Sequence, residues 1–213
     1  MEKKINFYEF CDIIEKLRAP GGCPWDREQT HQSLKKCLIE EAYEACDAID
    51  DGDGEVIADE LGDVLLQVVM HAQIGKEEGT FTIDDITDAV SRKMIERHPH
   101  VFGDVSVKNS DEVLTNWEEI KKEKRGQKTA VEAIEGITKS LPALSRAVKV
   151  IGKANKAGLH SFSDEKKLTG EEIGALLFSI CELSYENNID PETELSSFTK
   201  KFIKNLKNIE ENT

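Results

Sequence analysis

The chain has 213 residues and a net charge of −14, with 33% charged and 38% apolar side chains. That length suits one large domain or two small ones with a real core, and the composition is that of a soluble globular protein. No run of about 18 apolar residues is present to span a membrane, the first residues lack the apolar core of a signal peptide, and so acidic a surface argues against general nucleic-acid binding.

Phe7, Phe10, Ile13, Ile14 and Leu17 recur at helical spacing and predict a short amphipathic helix, Phe7 to Arg18. Ala19 to Thr30, reading APGGCPWDREQT, is dense in Pro and Gly and predicts a loop. Two longer helices are expected next, Gln29 to Asp50 and Glu55 to Glu78, joined by Asp51, Gly52, Asp53 and Gly54. So short a turn makes them antiparallel neighbours. Thr82 with Asp85 offers the start of a further helix ending near His98 and Pro99, and Ser110 the start of another through about Lys124. Residues 124–129 read as a polar linker. No strand alternation appears, so the expected fold class is all-α. Cys11, Cys23, Cys37, Cys46 and Cys181 are odd in number and lack metal-type spacing, which reads as free thiols in a cytoplasmic protein.

The acidic residues of the second and third of these helices stand out. At about 100° per residue, Leu34, Cys37, Leu38, Ala42, Ala45, Ala48 and Ile49 fall on one arc. Glu41 lies at its centre and Glu44 at its edge. The next helix is apolar round most of its circumference, apart from a narrow stripe of Glu60, Asp63, Gln67 and His71. Carboxylates facing a core cost several kcal/mol each unless a cation compensates them, on the order of 2–7 for a polar group alone. Two Glu-x-x-(Glu/Asp) pairs that a hairpin brings opposite each other point to a hard divalent cation with oxygen ligands. An ordinary charged helix face is the bland reading, and the apolar arc around Glu41 opposes it.

The second half repeats the first imperfectly. DELGDVLLQVVMHA (Asp59 to Ala72) resembles EEIGALLFSICELS (Glu171 to Ser184), which aligns Glu60 with Glu172 and Asp63 with Ala175. AVSRKMIER (Ala89 to Arg97) resembles SFTKKFIKN (Ser197 to Asn205). Between Ala157 and Gly170, where an acidic helix would recur, there is no Glu-x-x-Glu. The expected organisation is therefore a metal-binding helical domain, 1–126, and a degenerate helical repeat, 127–213, that keeps the packing and loses the metal carboxylates.

Five strings carry a family resemblance: GGCPWDREQTHQSL (Gly21 to Leu34), LIEEAYEACDAI (Leu38 to Ile49), DELGDVLLQVVMHAQ (Asp59 to Gln73), KMIERHPHVFGD (Lys93 to Asp104) and VLTNWEEIKKEKR (Val113 to Arg125). In this order they resemble the MazG-type nucleoside triphosphate pyrophosphohydrolases of the all-α NTP pyrophosphatase superfamily. LPALSRAVKVIGKANKAGL (Leu141 to Leu159) resembles the start of the second domain of two-domain members. The resemblance implies a helical bundle, Mg²⁺ held by Glu41, Glu44, Glu60 and Asp63 with Mn²⁺ as the alternative ion, and a homodimer with sites near the interface. It also implies hydrolysis of nucleoside triphosphates to monophosphate and pyrophosphate, with broad base tolerance and a role in clearing surplus or non-canonical nucleotides.

Cleavage between the α and β phosphates is an in-line displacement by water with charge building on phosphate oxygens, which bound Mg²⁺ neutralises. Phosphate also needs local cations. Lys93 and Arg97 lie at i and i+4 and share a helix face, the Arg suited to bidentate grip. The family pattern resembles Lys-x-x-Arg-Arg-His-Pro-His, and Glu96 departs from it. Trp117, in the polar run NWEEIKKEKR, is the candidate for stacking on a base, with packing at a subunit interface as the competing role; Lys121 is a weaker substrate contact. Glu40 reads as a surface residue, His98 and His100 as helix-ending structure, Trp25 as a plug or lid, and His71 as a hydrogen-bond partner of the carboxylates. The competing function is a nucleotide- or metal-sensing helical dimer without turnover.

Overall fold

The computed structural model describes residues 3–124, 126, 129–160 and 168–211. Among them every regular element is a helix, and the chain divides into two compact units, 1–104 and 105–213. The first unit holds α1 (Phe7–Arg18), α2 (Pro24–Glu28), α3 (Lys35–Asp51), α4 (Gly54–Glu78), α5 (Ile83–Arg97) and α6 (Pro99–Phe102). The second holds α7 (Ser110–Lys124), α8 (Ala130–Glu135), α9 (Ala143–Lys156), α10 (Gly170–Glu186) and α11 (Pro191–Glu211). The contacts thus group α7 with the second unit, although the sequence reads it as the end of the first.

Local chemistry sets the helix ends. Asn6 and Glu9 form a capping box at α1, and Thr82 with Asp85 forms another at α5. Gly52 closes α3 with φ of 81°, a left-handed conformation that glycine takes without strain, and Asp53 immediately caps α4. The pair α3–α4 is therefore a tight antiparallel hairpin. Pro24 at the first helical position starts the short α2, so the Pro/Gly-rich loop contains a helical turn that the sequence reading passed over.

α3 begins at Lys35, not Gln29. Thr30 and Ser33 bond each other's backbone N–H through their hydroxyls, at 3.1 and 2.9 Å, and hold residues 31–34 as a turn. At α7 the cap is Asn109, whose Oδ1 accepts from the Glu112 N–H at 3.0 Å, one residue ahead of the expected Ser110.

The first unit's core is Ile14, Leu34, Val69, Met70 and Ile74, flanked by Phe7, Phe10, Leu66 and Ile83. Burial of each large apolar side chain contributes about 1.5–3 kcal/mol. Arg18 stitches α1 to α4: its buried guanidinium holds Glu77 through Nε at 3.0 Å and Nη2 at 2.7 Å. Its Nη1 donates to the carbonyls of Asp26 and Gln29, which fixes the α2 loop. Gly75 lets Phe81 lie against α4, because a Cβ there would stand 2.8 Å from the ring.

In the second unit Val131, Ile134, Ile137, Val150, Ala154, Ile203 and Leu206 form the core shared by α8, α9 and α11. Glu210 accepts from the Ala130 and Val131 N–H groups at the start of α8. α8 itself has no counterpart in the sequence reading. α10 buries no residue and leaves Leu176, Phe178, Ile180 and Leu183 exposed. Most of the stretch expected to lack an acidic helix, residues 161–167, lies outside the described residues.

Candidate metal centre

The α3–α4 hairpin brings its acids together. Glu41, Glu60 and Asp63 each offer a carboxylate oxygen, and the three atoms lie within 4.8 Å of one another. Ligands of a Mg²⁺ octahedron at about 2.1 Å are roughly 3 Å apart when adjacent and roughly 4 Å when opposite, so small side-chain movements close the set on one ion. Glu41 and Glu60 are only half-buried and Glu44 is exposed. The expected core-facing carboxylates therefore sit at a solvent-accessible edge of the helix pair.

Their electrostatics match a site that wants a cation. The Glu41 carboxyl is pushed above its ordinary value of 4.5, first by desolvation, then by Asp63, by Glu44 through charge and a hydrogen bond, and by Glu60. Glu60 is likewise raised, by desolvation and by Glu44, Asp63 and Asp59. Glu44 is thus coupled to both helices' acids, although it lies outside the tightest three. Among the described residues no Lys or Arg pairs with any of the four. Like charges left this close favour protonation or a divalent ion. The donor set, carboxylate oxygens alone, fits a hard cation.

The rest of the polar stripe departs from expectation. Gln67 is 6% exposed and its Oε1 has no partner. His71 turns its Nδ1 to the Nδ1 of His31 at 2.7 Å instead of to the carboxylates, and the two rings stack, with Phe81 against His31. Desolvation and His31 hold the His71 imidazole below its ordinary range. No local sequence pattern marks His31, because only the turn at 31–34 carries it onto α4. Lys93 is exposed and Arg97 half-buried on the last turns of α5, and α5 packs on α4. Trp117 and Lys121 belong to α7; Trp117 is half-buried, and the Lys121 ammonium is paired with Glu118 at 3.2 Å. Glu40 is a surface residue paired with Lys36 at 3.1 Å. The His98 Nδ1–H donates to the Met94 carbonyl at 2.6 Å, which engages it at the end of α5. Trp25 is 59% exposed, so it is not part of the first unit's buried core.

Residues 29–102, which contain the whole carboxylate hairpin, match the MazG nucleotide pyrophosphohydrolase domain. A Thermotoga maritima protein named nucleoside triphosphate pyrophosphohydrolase/pyrophosphatase MazG is 43% identical, over 99% of this chain and 88% of its own length. The chain belongs to the MazG family. The Escherichia coli K12 nucleoside triphosphate pyrophosphohydrolase is 39% identical over 93% of this chain and 84% of its own length. An uncharacterised Bacillus subtilis protein, YabN, is 42% identical, and there the match spans 48% of the relative's length. The MazG likeness thus extends through both units, while the family domain proper ends at residue 102, before α7. Among the described residues no helix is long and apolar enough to cross a membrane.

Proposed function

We propose that this MazG-family chain is an enzyme that hydrolyses nucleoside triphosphates at the α–β phosphate bond, releasing a monophosphate and pyrophosphate. The observation that carries the reading is the convergence of Glu41, Glu60 and Asp63, with Glu44 coupled to them, at an accessible edge of α3–α4. Such an array binds phosphates only through a cation. These residues would hold Mg²⁺, or Mn²⁺ in its place, which supplies charge neutralisation at the phosphates and acidifies a bound water. The protein's own part is positional. The four carboxylates would hold the ion at the helix seam, and the open side leaves room for the polyphosphate. Lys93 and Arg97 provide further positive charge for phosphate oxygens, Arg97 with a planar fork. Trp117 is the proposed base-stacking residue and Lys121 a weaker substrate contact. Stacking on any base is consistent with broad nucleotide tolerance and a pool-cleaning role in the cytoplasm.

We propose further that the working form is a homodimer. The apolar side chains left exposed on α3 and α4, among them Ile39, Tyr43, Leu61 and Leu65, and those of α10 form patches of the kind that subunit interfaces cover.

The test is product analysis with each NTP and Mg²⁺. Monophosphate and pyrophosphate in equal amounts support the reading. Orthophosphate with diphosphate would refute the cleavage position, and NTP binding without turnover would make the protein a sensor.

A further inference from the structure

Among the described residues two arginine side chains, Arg18 and Arg146, are buried, and they are treated oppositely. Arg18 has a carboxylate and two carbonyls around its guanidinium. Arg146, on α9 in the second unit, is 4% exposed, yet its Nε and Nη1 atoms are buried with no hydrogen-bond partner. Among the described ion pairs none includes it. A buried guanidinium with unmet donors is costly unless an anion joins it.

Its setting supplies more donors. Arg146 is the fourth residue of α9, and side chains in a helix lean toward the amino end, so it lies over the first turn. Pro142, the residue before that turn, provides no side-chain cap. The N–H groups of Leu144 and Ser145 have no acceptor within the helix, and the Ser145 residue is exposed. One oxyanion already sits at this end: the Glu192 carboxylate, from the first turn of α11, accepts from the Ala143 N–H. It reaches the helix end without pairing with the guanidinium.

We propose that Arg146 and the amino end of α9 form an oxyanion site that takes a phosphate group, with Glu192 as its internal competitor. The donors favour phosphate over a carboxylate: the guanidinium fork, two backbone N–H groups and the Ser145 hydroxyl exceed what two carboxylate oxygens accept, and a tetrahedral oxyanion can use them together. Glu192 occupies the Ala143 N–H, so phosphate binding at the helix end and the Glu192–Ala143 contact exclude each other. The site shares no residue with the α3–α4 centre.

The test uses the full chain in EDTA, which keeps divalent ions from the acidic hairpin. Inorganic phosphate, pyrophosphate and AMP are titrated by calorimetry and thermal midpoint, against chloride at matched ionic strength. Wild type should bind phosphate and rise in midpoint. Glu192→Ala should bind several-fold tighter, Arg146→Lys about tenfold weaker, and Arg146→Met should lose the response while keeping its NTP turnover. AMP binding tighter than phosphate would identify a nucleotide as the natural occupant; equal binding would identify free phosphate. Equal responses in wild type and Arg146→Met would mean an adventitious ion only and overturn the proposal. So would silence in both wild type and Glu192→Ala. If Arg146→Met does not fold, the opposite shifts of Glu192→Ala and Arg146→Lys decide.

Discussion

Glu60 and Glu172 occupy matching places in two similar strings, DELGDVLLQ and EEIGALLFS, yet their carboxyls are used in opposite ways. α4 starts at Gly54, so Glu60 lies in its second turn, beside Asp63 and across from Glu41, and desolvation, then repulsion from Glu44, Asp63 and Asp59, raises it. α10 starts at Gly170, which puts Glu172 in the first turn. There it accepts from the Thr169 N–H at 2.8 Å and the hydroxyl at 3.0 Å, and these bonds lower it. Ala175 stands where Asp63 would. A shift in where the helix begins turns a clustered acid into a cap. In the first half the acids cluster with one another; in the second, Glu172 bonds its own backbone.

The sharpest way to break that contrast is to neutralise the first half. Glu60→Gln or Asp63→Asn should lower Mg²⁺-dependent pyrophosphate release by about 10²-fold or more. The same variants should hold or raise the thermal midpoint in EDTA, because repulsion is relieved. Full turnover in either variant would remove that residue from the ligand set.

Arg18→Ala tests what keeps the hairpin in place. It strips two bonds from Glu77 and two from loop carbonyls, and should cost about 2 kcal/mol, discounted because Glu77 is 38% exposed, in denaturant unfolding. Arg18→Lys should recover only part, since an ammonium lacks the fork.

Acidity gives a third handle. Glu41 and Glu60 have folded-state values above 4.5, so the metal-free fold binds more protons than the unfolded chain as pH rises past that value. Their contribution to stability is present at low pH and is lost as pH climbs through the raised values. Mg²⁺ needs the ionised forms, so its stabilising effect should grow over the same interval. Midpoints at several pH values, with and without Mg²⁺, should diverge as pH rises; parallel curves would separate the acids from the ion.

The smallest effect is expected from Glu172→Gln. Gln still serves in a capping box, so the midpoint should fall only slightly and NTP turnover should not change. A loss of turnover would show that the second half retains part of the chemistry.

Much of this was legible in the chain. Helical periodicity set the bounds of α1 within the first unit, Asp-Gly-Asp-Gly marked the hairpin turn, and Thr82 with Asp85 marked the start of α5, because caps and apolar spacing act within a few residues. The acid pairs were visible for the same reason. Features made by distant residues were less visible. α3 starts late because Thr30 and Ser33 bond each other, and His71 meets His31 because that turn delivers it. α8 is a helix of six residues, too short for a period, held by Glu210 from the far end of the unit.

The four carboxylates, their pairing across two helices and the family strings were therefore determined by sequence alone, since each is a matter of residue type and local spacing. Tertiary structure decided the rest: that Glu41 and Glu60 sit at an open edge instead of in a core, that Glu172 became a cap, and that Arg18 found a carboxylate where Arg146 found none. Those outcomes depend on which surfaces meet after folding, and no short stretch of chain carries that information.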